Sequence, residues 1–491
     1  MVFNSYHATR NKYSTHPLFC QLSKKNILMK NESLSMYMKT KQRHPLIVGT
    51  FILTATGIVS RLIGFLYRIY LSRLFGEEGM GIYQLLGPVL SLSFSLTAAG
   101  YQTAISKLVA EQAATQKRPS LRPLIVGLGI SLPLSLACNA VLFCFADTIS
   151  TSLLQEPRTA SMLRVLSFSV PLSAVHSCIN GYFYGIKKAG IPAGSQLLEQ
   201  IARVGCVYIV SSHILSLGRK PSISVAVLGL TVGEFFSMLM TIAAVCPRHR
   251  ETLPRKAAAL RLPPQALSPF RKNSGESLAR KLLAMALPLT ANRIVLNLLQ
   301  SVEAVSIPAR LRLYGYDTAT SLSVYGVFTG MAMPFIFFPN ALTSSVAVLL
   351  LPVISENYAL GNMDAVKNAT VRTVKYCGAM GFGCLGCFVL FGRWAGSTLF
   401  HSPLAGYFIT TLGFICPFLY LDTTLSSILQ GLGLAGHTFV MNVVCLLIRL
   451  GFVFLAVPRF GMTGYLWGLL VSQLTLGALY LICLYRFFRK H

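Results

Sequence analysis

Twelve apolar stretches, in two sets of six parted by one basic segment, decide what this chain can become. They fall near residues 46–75, 83–110, 122–146, 162–186, 192–215 and 223–246, then near 281–309, 322–355, 368–392, 404–430, 436–457 and 464–487. Most run about 20 residues or longer, the length an α-helix needs to cross a bilayer, rather than the roughly ten-residue alternation of a membrane barrel. Backbone groups cannot stay unpaired in hydrocarbon, so such runs must close their hydrogen bonds within helices. Composition agrees. Of 491 residues, 53% are hydrophobic and 12% charged, and mean hydropathy is +0.60, whereas soluble domains carry about 25% charged residues. The fold class is therefore an all-α polytopic membrane protein, with about twelve transmembrane helices arranged as two six-helix lobes.

The net charge of +28 is spread unevenly. Lys and Arg gather between Arg10 and Arg43, around Lys117, Arg118 and Arg122, at Lys187 and Lys188, from Arg248 to Lys281, and at Arg486, Arg489 and Lys490. This is the positive-inside pattern, which places those loops and both termini on the cytoplasmic side of the membrane. The same residues suit the anionic lipids of the inner leaflet, and no nucleic-acid partner is expected. Four segments follow: a basic cytoplasmic tail over 1–45, disordered by composition; an N-terminal six-helix lobe over 46–247; a basic, proline-rich cytoplasmic linker over 248–280; and a C-terminal six-helix lobe over 281–488. The tail has no long apolar stretch and is not a signal peptide. Met29, Met36 and Met38 offer alternative starts, and one of them is expected to be the true one.

Most of the twelve cysteines, Cys138, Cys178 and Cys445 among them, sit in apolar runs and read as packing residues. Cys384 and Cys387 have redox or metal spacing but no histidine cluster nearby, so packing is the reading there too. No cofactor and no metal are expected.

The two halves are related. The stretch that begins LSFSVPLSAVHSCINGYFYG at Leu166 aligns without gaps, at a constant offset of 246, with LGFICPFLYLDTTLSSILQG at Leu412. Leu166, Phe168, Pro171, Gly185, Gly190, Arg203 and Gly205 meet Leu412, Phe414, Pro417, Gly431, Gly436, Arg449 and Gly451. More loosely, ISKLVAEQAA from Ile105 parallels LLPVISENYA from Leu350. An even number of helices per half gives both halves the same orientation, related by an axis along the membrane normal. Carriers built this way hold substrate near the midplane and rock one lobe against the other.

The charges inside the apolar runs carry the functional signal. An arginine at the centre of a spanning helix costs about 2.5–3.5 kcal/mol, yet the first run holds Arg61 and Arg68. At 100° per residue, Thr50, Thr54, Gly57, Arg61, Gly64 and Arg68 share one stripe about 80° wide. The seventh run repeats the habit with Arg293, Asn297 and Gln300, and Glu303 lies beside them. Arg61 and Arg293 sit near mid-depth, where a hydrated cavity is the better explanation. Arg68, roughly 33 Å along its helix, serves either that cavity or the far interface by snorkelling.

Arg203 and Arg449 are repeat mates, which favours a structural role, and Glu199 one turn before Arg203 makes an ordinary helical pair. Glu303, Glu199, Arg203, Arg449 and Asp422 are thus the candidates for coupling or ion pairing, with Glu234 a further carboxylate. His176 can titrate near neutral pH, although a lone histidine on an apolar helix is usually satisfied locally.

Arginines flooring a cavity suit an anion, phosphate above all, because a guanidinium gives charge-assisted bidentate hydrogen bonds. Arg61, Arg68, Arg293, Asn297 and Gln300 are the expected substrate contacts. No G-x-x-x-x-G-K-[ST], H-E-x-x-H or G-x-S-x-G motif is present, so neither ATP hydrolysis nor metalloprotease or serine-hydrolase chemistry is expected. Two rivals remain open: a cation-coupled drug or metabolite antiporter, which would want carboxylates in the stripe, and a non-transporting scaffold that docks cell-wall synthesis enzymes on the basic linker.

SRLIGFLYRIYLSRLFGEEGMGIYQL, followed by AISKLVAE, LLPVISE and the YGIKKAG turn, resembles the polysaccharide-transporter branch of the multidrug/oligosaccharidyl-lipid/polysaccharide (MOP) exporter superfamily, within it the stage V sporulation protein B group. The resemblance covers about residues 46–487. It implies a V-shaped pair of lobes, like that of the multidrug exporters, working by alternating access. It also implies a substrate, a polyprenyl-pyrophosphate-linked sugar moved to the outer leaflet for spore cortex or cell-wall synthesis. The lipid II flippase is a cousin whose similar Ser-Arg-x-x-Gly-Phe opening is followed by an Arg-Asp pair. Here Tyr67 stands where that arginine would be and Arg68 where the aspartate would be, while Arg61 matches the opening motif.

Overall fold

The computed structural model describes the backbone of residues 17–115, 120–252 and 277–490, and the side chains of 54–489 except 114–119 and 247–276. Most of the expected linker and the first sixteen residues of the expected tail lie outside the described residues. The chain forms two compact units, Met1–Phe51 and Ile52–His491. The first is helical from Pro17; all that follows concerns the second.

Every described element is a helix. The first half holds α1 (Pro17–Phe94), a π-helical turn at Ser95–Ala99, α2 (Gly100–Thr115), α3 (Arg122–Cys144), α4 (Ala146–Thr148), a second π turn at Ile149–Leu153, α5 (Thr159–Ser167), α6 (Ser169–Gly185), α7 (Gly190–Ser216) and α8 (Ser224–Thr252). The second half holds α9 (Leu278–Tyr314), α10 (Thr318–Gly326), a π turn at Val327–Ala332, α11 (Met333–Phe337), α12 (Asn340–Ala359), α13 (Met363–Leu399), α14 (Pro403–Gly413), α15 (Cys416–Gly431), α16 (Ala435–Leu455) and α17 (Val457–Lys490).

Among the described residues, ten helices are long and apolar enough to cross a membrane, or eleven if the bent pair α14 and α15 is one span. Three features relate that number to the twelve apolar runs. Thr54–Ala113 counts once but breaks at Gly76, whose φ of 71° and ψ of −173° lie in a region essentially reserved for glycine. Gln196, Glu199, Gln200 and Arg203 keep α7 out of the count by diluting its hydropathy. Thr318–Phe337 and Asn340–Ala359 count twice, although Phe338 and Pro339 between them keep helical angles. Helix starts follow ordinary capping chemistry. Ser277, Asp317, Asn362 and Ser402 each accept the backbone N–H three residues on. The Thr320 hydrogen bonds hold the Asp317 carboxyl below its usual range.

The duplication is written into the backbone. Pro171 and Pro417 cannot donate to the carbonyls four residues back, those of Ser167 and Gly413, and the paired helices break at just those residues. The α14–α15 bend is 57°. Left-handed residues recur at the same offset: Gln155 (φ 53°) with His401 (φ 55°), and Lys187 (φ 59°) with Gly433 (φ 82°).

The cores show where the halves meet. Toward the Gly76 end one apolar cluster runs through both, joining Leu71, Met80, Leu163 and Val207 to Ile307, Leu322, Phe408 and Val457. Toward the other end, where α8 finishes and α9 begins, the cores are separate. Ile105, Leu124 and Phe183 pack with Leu282 of α9, while Ile354, Val366, Leu429 and Tyr480 form their own cluster. The halves therefore close on each other at the Gly76 face and part toward the linker face.

At the closed face, Gly81 lies directly against the Leu322 carbonyl and Gly326 against the backbone of Glu77 and Gly81, so no side chain fits between. Arg73 donates from Nε to the Leu399 carbonyl (3.0 Å) and from Nη2 to that of Thr398 (3.1 Å). That is the C-terminus of α13, where the helix dipole favours a cation. Arg312 Nη2 donates to Gln155 Oε1 at 2.6 Å.

Candidate functional site

Between the halves lies a cavity of about 780 Å³, within the roughly 300–1,000 Å³ of pockets that enclose small ligands. The helical stripe of α1 forms one wall: Ser60, Arg61, Gly64, Tyr67, Arg68 and Leu71 all line it. These residues recur every three or four positions, the spacing that puts side chains on one helix face. Past Gly76, Tyr83 and Gln84 continue the wall. Gln196, Gln200 and Arg203 reach in from α7, Gln300 from α9, Thr329 from the third π turn, Asn340 and Ser344 from α12, Arg449 from α16 and Tyr465 from α17.

Among the described residues, four guanidinium groups face this space and no carboxylate lines it. Two are held from behind. Arg203 Nη2 donates to Glu199 Oε1 at 2.5 Å. Arg449 Nη2 donates to Glu303 Oε2 at 2.5 Å, and Tyr465 OH donates to the other Glu303 oxygen at 2.7 Å. Neither Arg61 nor Arg68 has a carboxylate partner among the described residues; Arg68 Nη1 reaches only the Thr329 carbonyl, at 3.5 Å. Two positive charges thus stand uncompensated in the cavity.

Five polar atoms of the lining are buried and find no hydrogen-bond partner among the described residues: Ser60 Oγ, Tyr67 OH, Gln84 Nε2, Arg203 Nε and Arg449 Nε. A buried polar group left unpaired costs about 1–3 kcal/mol, and three of these five are obligate donors. The arrangement can receive an oxygen-rich anion, with charge from Arg61 and Arg68 and directed N–H groups from the two pinned arginines.

The expected site residues divide. Arg61, Arg68 and Gln300 line the cavity. Arg293 does not: it lies two turns before Gln300, nearer the linker face, and is exposed. Asn297 is also outside the lining, because its amide is spent on α1 and the first π turn, donating to Ser95 Oγ and to the Ser91 carbonyl (3.4 Å). The Glu199–Arg203 pair forms as its one-turn spacing suggests. Arg449, however, is held by Glu303 from α9, because Cys445 occupies the place one turn earlier. Asp422 has no partner among the described residues: it is 5% exposed and neither carboxylate oxygen is hydrogen-bonded. His176 bonds to Glu234 at 2.7 Å.

Sequence reasoning missed Tyr67, Gln84, Gln196 and Gln200 as lining residues. The i, i+4 recurrence of Gln196, Gln200 and Glu199, Arg203 on one apolar helix was the available signal.

Comparison with known proteins agrees with this architecture. Residues 46–358 match the family of polysaccharide biosynthesis proteins. Stage V sporulation protein B of Bacillus subtilis (strain 168) is 29% identical over 414 residues, 84% of this chain and 77% of that protein. The lipid II flippase of the same organism is 21% identical over 420 residues, 82% of this chain and 76% of its own. Among solved structures, an inward-facing multidrug resistance transporter of the MATE family, in the MOP superfamily, superposes with a TM-score of 0.67 at 15% identity, covering 88% of this chain and 96% of that one.

Proposed function

Because the chain belongs to the polysaccharide biosynthesis protein family, in the polysaccharide-transporter branch of the MOP superfamily, we propose that this multi-pass membrane protein flips a polyprenyl-pyrophosphate-linked sugar from the inner to the outer leaflet of a bacterial plasma membrane. The linker face and both termini are cytoplasmic in this reading, in keeping with the basic residues gathered there. The observation that carries it is the cavity's charge: four arginines, two of them uncompensated, and no carboxylate in the lining. A pyrophosphate diester brings two negative charges and several acceptor oxygens. Guanidinium forks pair with such groups bidentately. Arg61 and Arg68 supply the charge, Arg203, Arg449 and Gln300 the directed donors, and the polyprenyl chain stays in lipid while the headgroup crosses. The similarity to a sporulation protein points to wall synthesis during sporulation. An organic cation is a poor substrate for this lining.

The test is headgroup translocation in proteoliposomes, with a fluorescent undecaprenyl-pyrophosphate sugar quenched from outside. Wild type is expected to expose the label, and Arg61→Ala and Arg68→Ala to lose at least tenfold in rate at unchanged abundance and melting temperature. A folded wild type that never exposes the label, under imposed proton, sodium and voltage gradients alike, rules the reading out.

A further inference from the structure

The two pinned arginines are not pinned alike. Behind Arg449 stands Glu303, 5% exposed, held by Tyr465 as well, with no histidine bonded to it among the described residues. Behind Arg203 stands a cluster that can take up a proton. Glu199, His176 and Glu234 come from α7, α6 and α8, and one carboxylate oxygen of each glutamate and one ring nitrogen of the histidine lie within 4.8 Å of one another. All are largely buried, at 16%, 12% and 13% side-chain exposure.

Charge decides what this cluster needs. Two carboxylates share one guanidinium, and when that guanidinium turns to an anion they keep a counter-charge only if the cluster gains a proton. In low dielectric an unbalanced charge is costly, and His176 is the natural acceptor. The surroundings fit both of its protonation states. Its Nε2 meets Glu234 Oε2 at 2.7 Å. Its Nδ1 meets the Asn180 amide at 3.4 Å, and that amide meets the Ser195 hydroxyl at 3.3 Å. With the ring neutral, Asn180 donates to Nδ1. With the ring charged, the amide turns over, its oxygen accepts from Nδ1–H, and the Ser195 hydroxyl reverses its own role. Glu234 and Glu199 are the charged groups that act on His176, and α2 and α3, which also pack on α6, add none among the described residues. Tyr67, Tyr83 and Arg68 of α1 face the arginine end of the cluster.

We infer that His176, Glu234 and Glu199 form a proton site that controls Arg203: with the proton absent, Glu199 holds the guanidinium, and with it present, Arg203 is released to the anion in the cavity. No bond to carbon or phosphorus changes. One proton enters the cluster as one negative charge arrives at Arg203, so anion binding and proton uptake favour each other, a coupling that is reciprocal. Arg449 keeps its carboxylate throughout and serves as the fixed half of the clamp. The inference rests on the anion reading above and adds what loads the site.

The experiment is calorimetric titration of the purified full chain with farnesyl pyrophosphate, in buffers of different ionisation enthalpy and at several pH values. Wild type is expected to take up roughly one proton beyond the probe's own titration and to weaken by up to about tenfold per pH unit across the cluster's titration. His176→Gln and Glu234→Gln, each checked for an unchanged melting temperature, are expected to bind with that extra proton and pH dependence lost. Equal proton uptake in wild type and both variants overturns the coupling and leaves the anion site standing. Sodium dependence in place of pH dependence overturns it as well. A wild type that binds no probe at any pH defeats the anion reading itself.

Discussion

Glu303 is the residue whose loss should be felt most. It is almost fully buried, accepts from both Arg449 and Tyr465, and ties α9 to α16 and α17. Glu303→Gln leaves the Arg449 guanidinium buried without its counter-charge, a change worth about 3–5 kcal/mol. A lowered melting temperature in detergent is the expected result, and an unchanged one would show that Arg449 finds another partner. Arg293→Ala should do little: the residue is outside the cavity lining, so flipping should fall by less than twofold, against the tenfold or greater loss expected of Arg61→Ala. The contrast marks how much of the site could be read from sequence. Arg61, Gly64 and Arg68 were legible because a stripe is a local property of one helix. The Arg449–Glu303 pair was not, since 146 residues separate its members and no spacing rule spans that distance.

At the level of single elements, the strongest features were present in the letters themselves. The constant offset of 246 predicts that a helix broken at Pro171 is broken at Pro417 too, and both are. It did not reveal that Lys187 adopts the left-handed conformation, because only its mate, Gly433, is the residue type that advertises it. A non-glycine residue there pays roughly 1–2 kcal/mol of strain. Lys187→Gly should therefore raise stability by up to about 1 kcal/mol, and Gly433→Lys should lower it by a similar amount, both readable in thermal melts. Gly76→Ala is the harsher change. Its angles are nearly closed to any side chain, so about 1–3 kcal/mol is lost, together with the angle between the two arms of α1. An unaltered melt would mean that the break relocates along Glu77–Gly79.

For the molecule as a whole, the sequence indicated two like-oriented halves but not which end joins them, because that depends on contacts between distant helices rather than on patterning within any one. Arg73 illustrates it. Nothing about its neighbours suggests that it caps α13 from the other half of the chain. Arg73→Ala should loosen the closed face, and amide hydrogen exchange over Thr318–Gly326 is expected to quicken severalfold while the linker-face helices stay unchanged. Exchange that rises equally at both faces would instead indicate general destabilisation. The glycine contact of Gly81 with Leu322 and Gly326 sets the mechanics of that face. It acts as a fulcrum near one end of two long arms. From Gly81 to Thr115 the arm is about 50 Å, so a tilt of only ~10° sweeps its far end through roughly 9 Å. At that length, a small tilt about the glycine contact becomes a large change in width at the linker-face end.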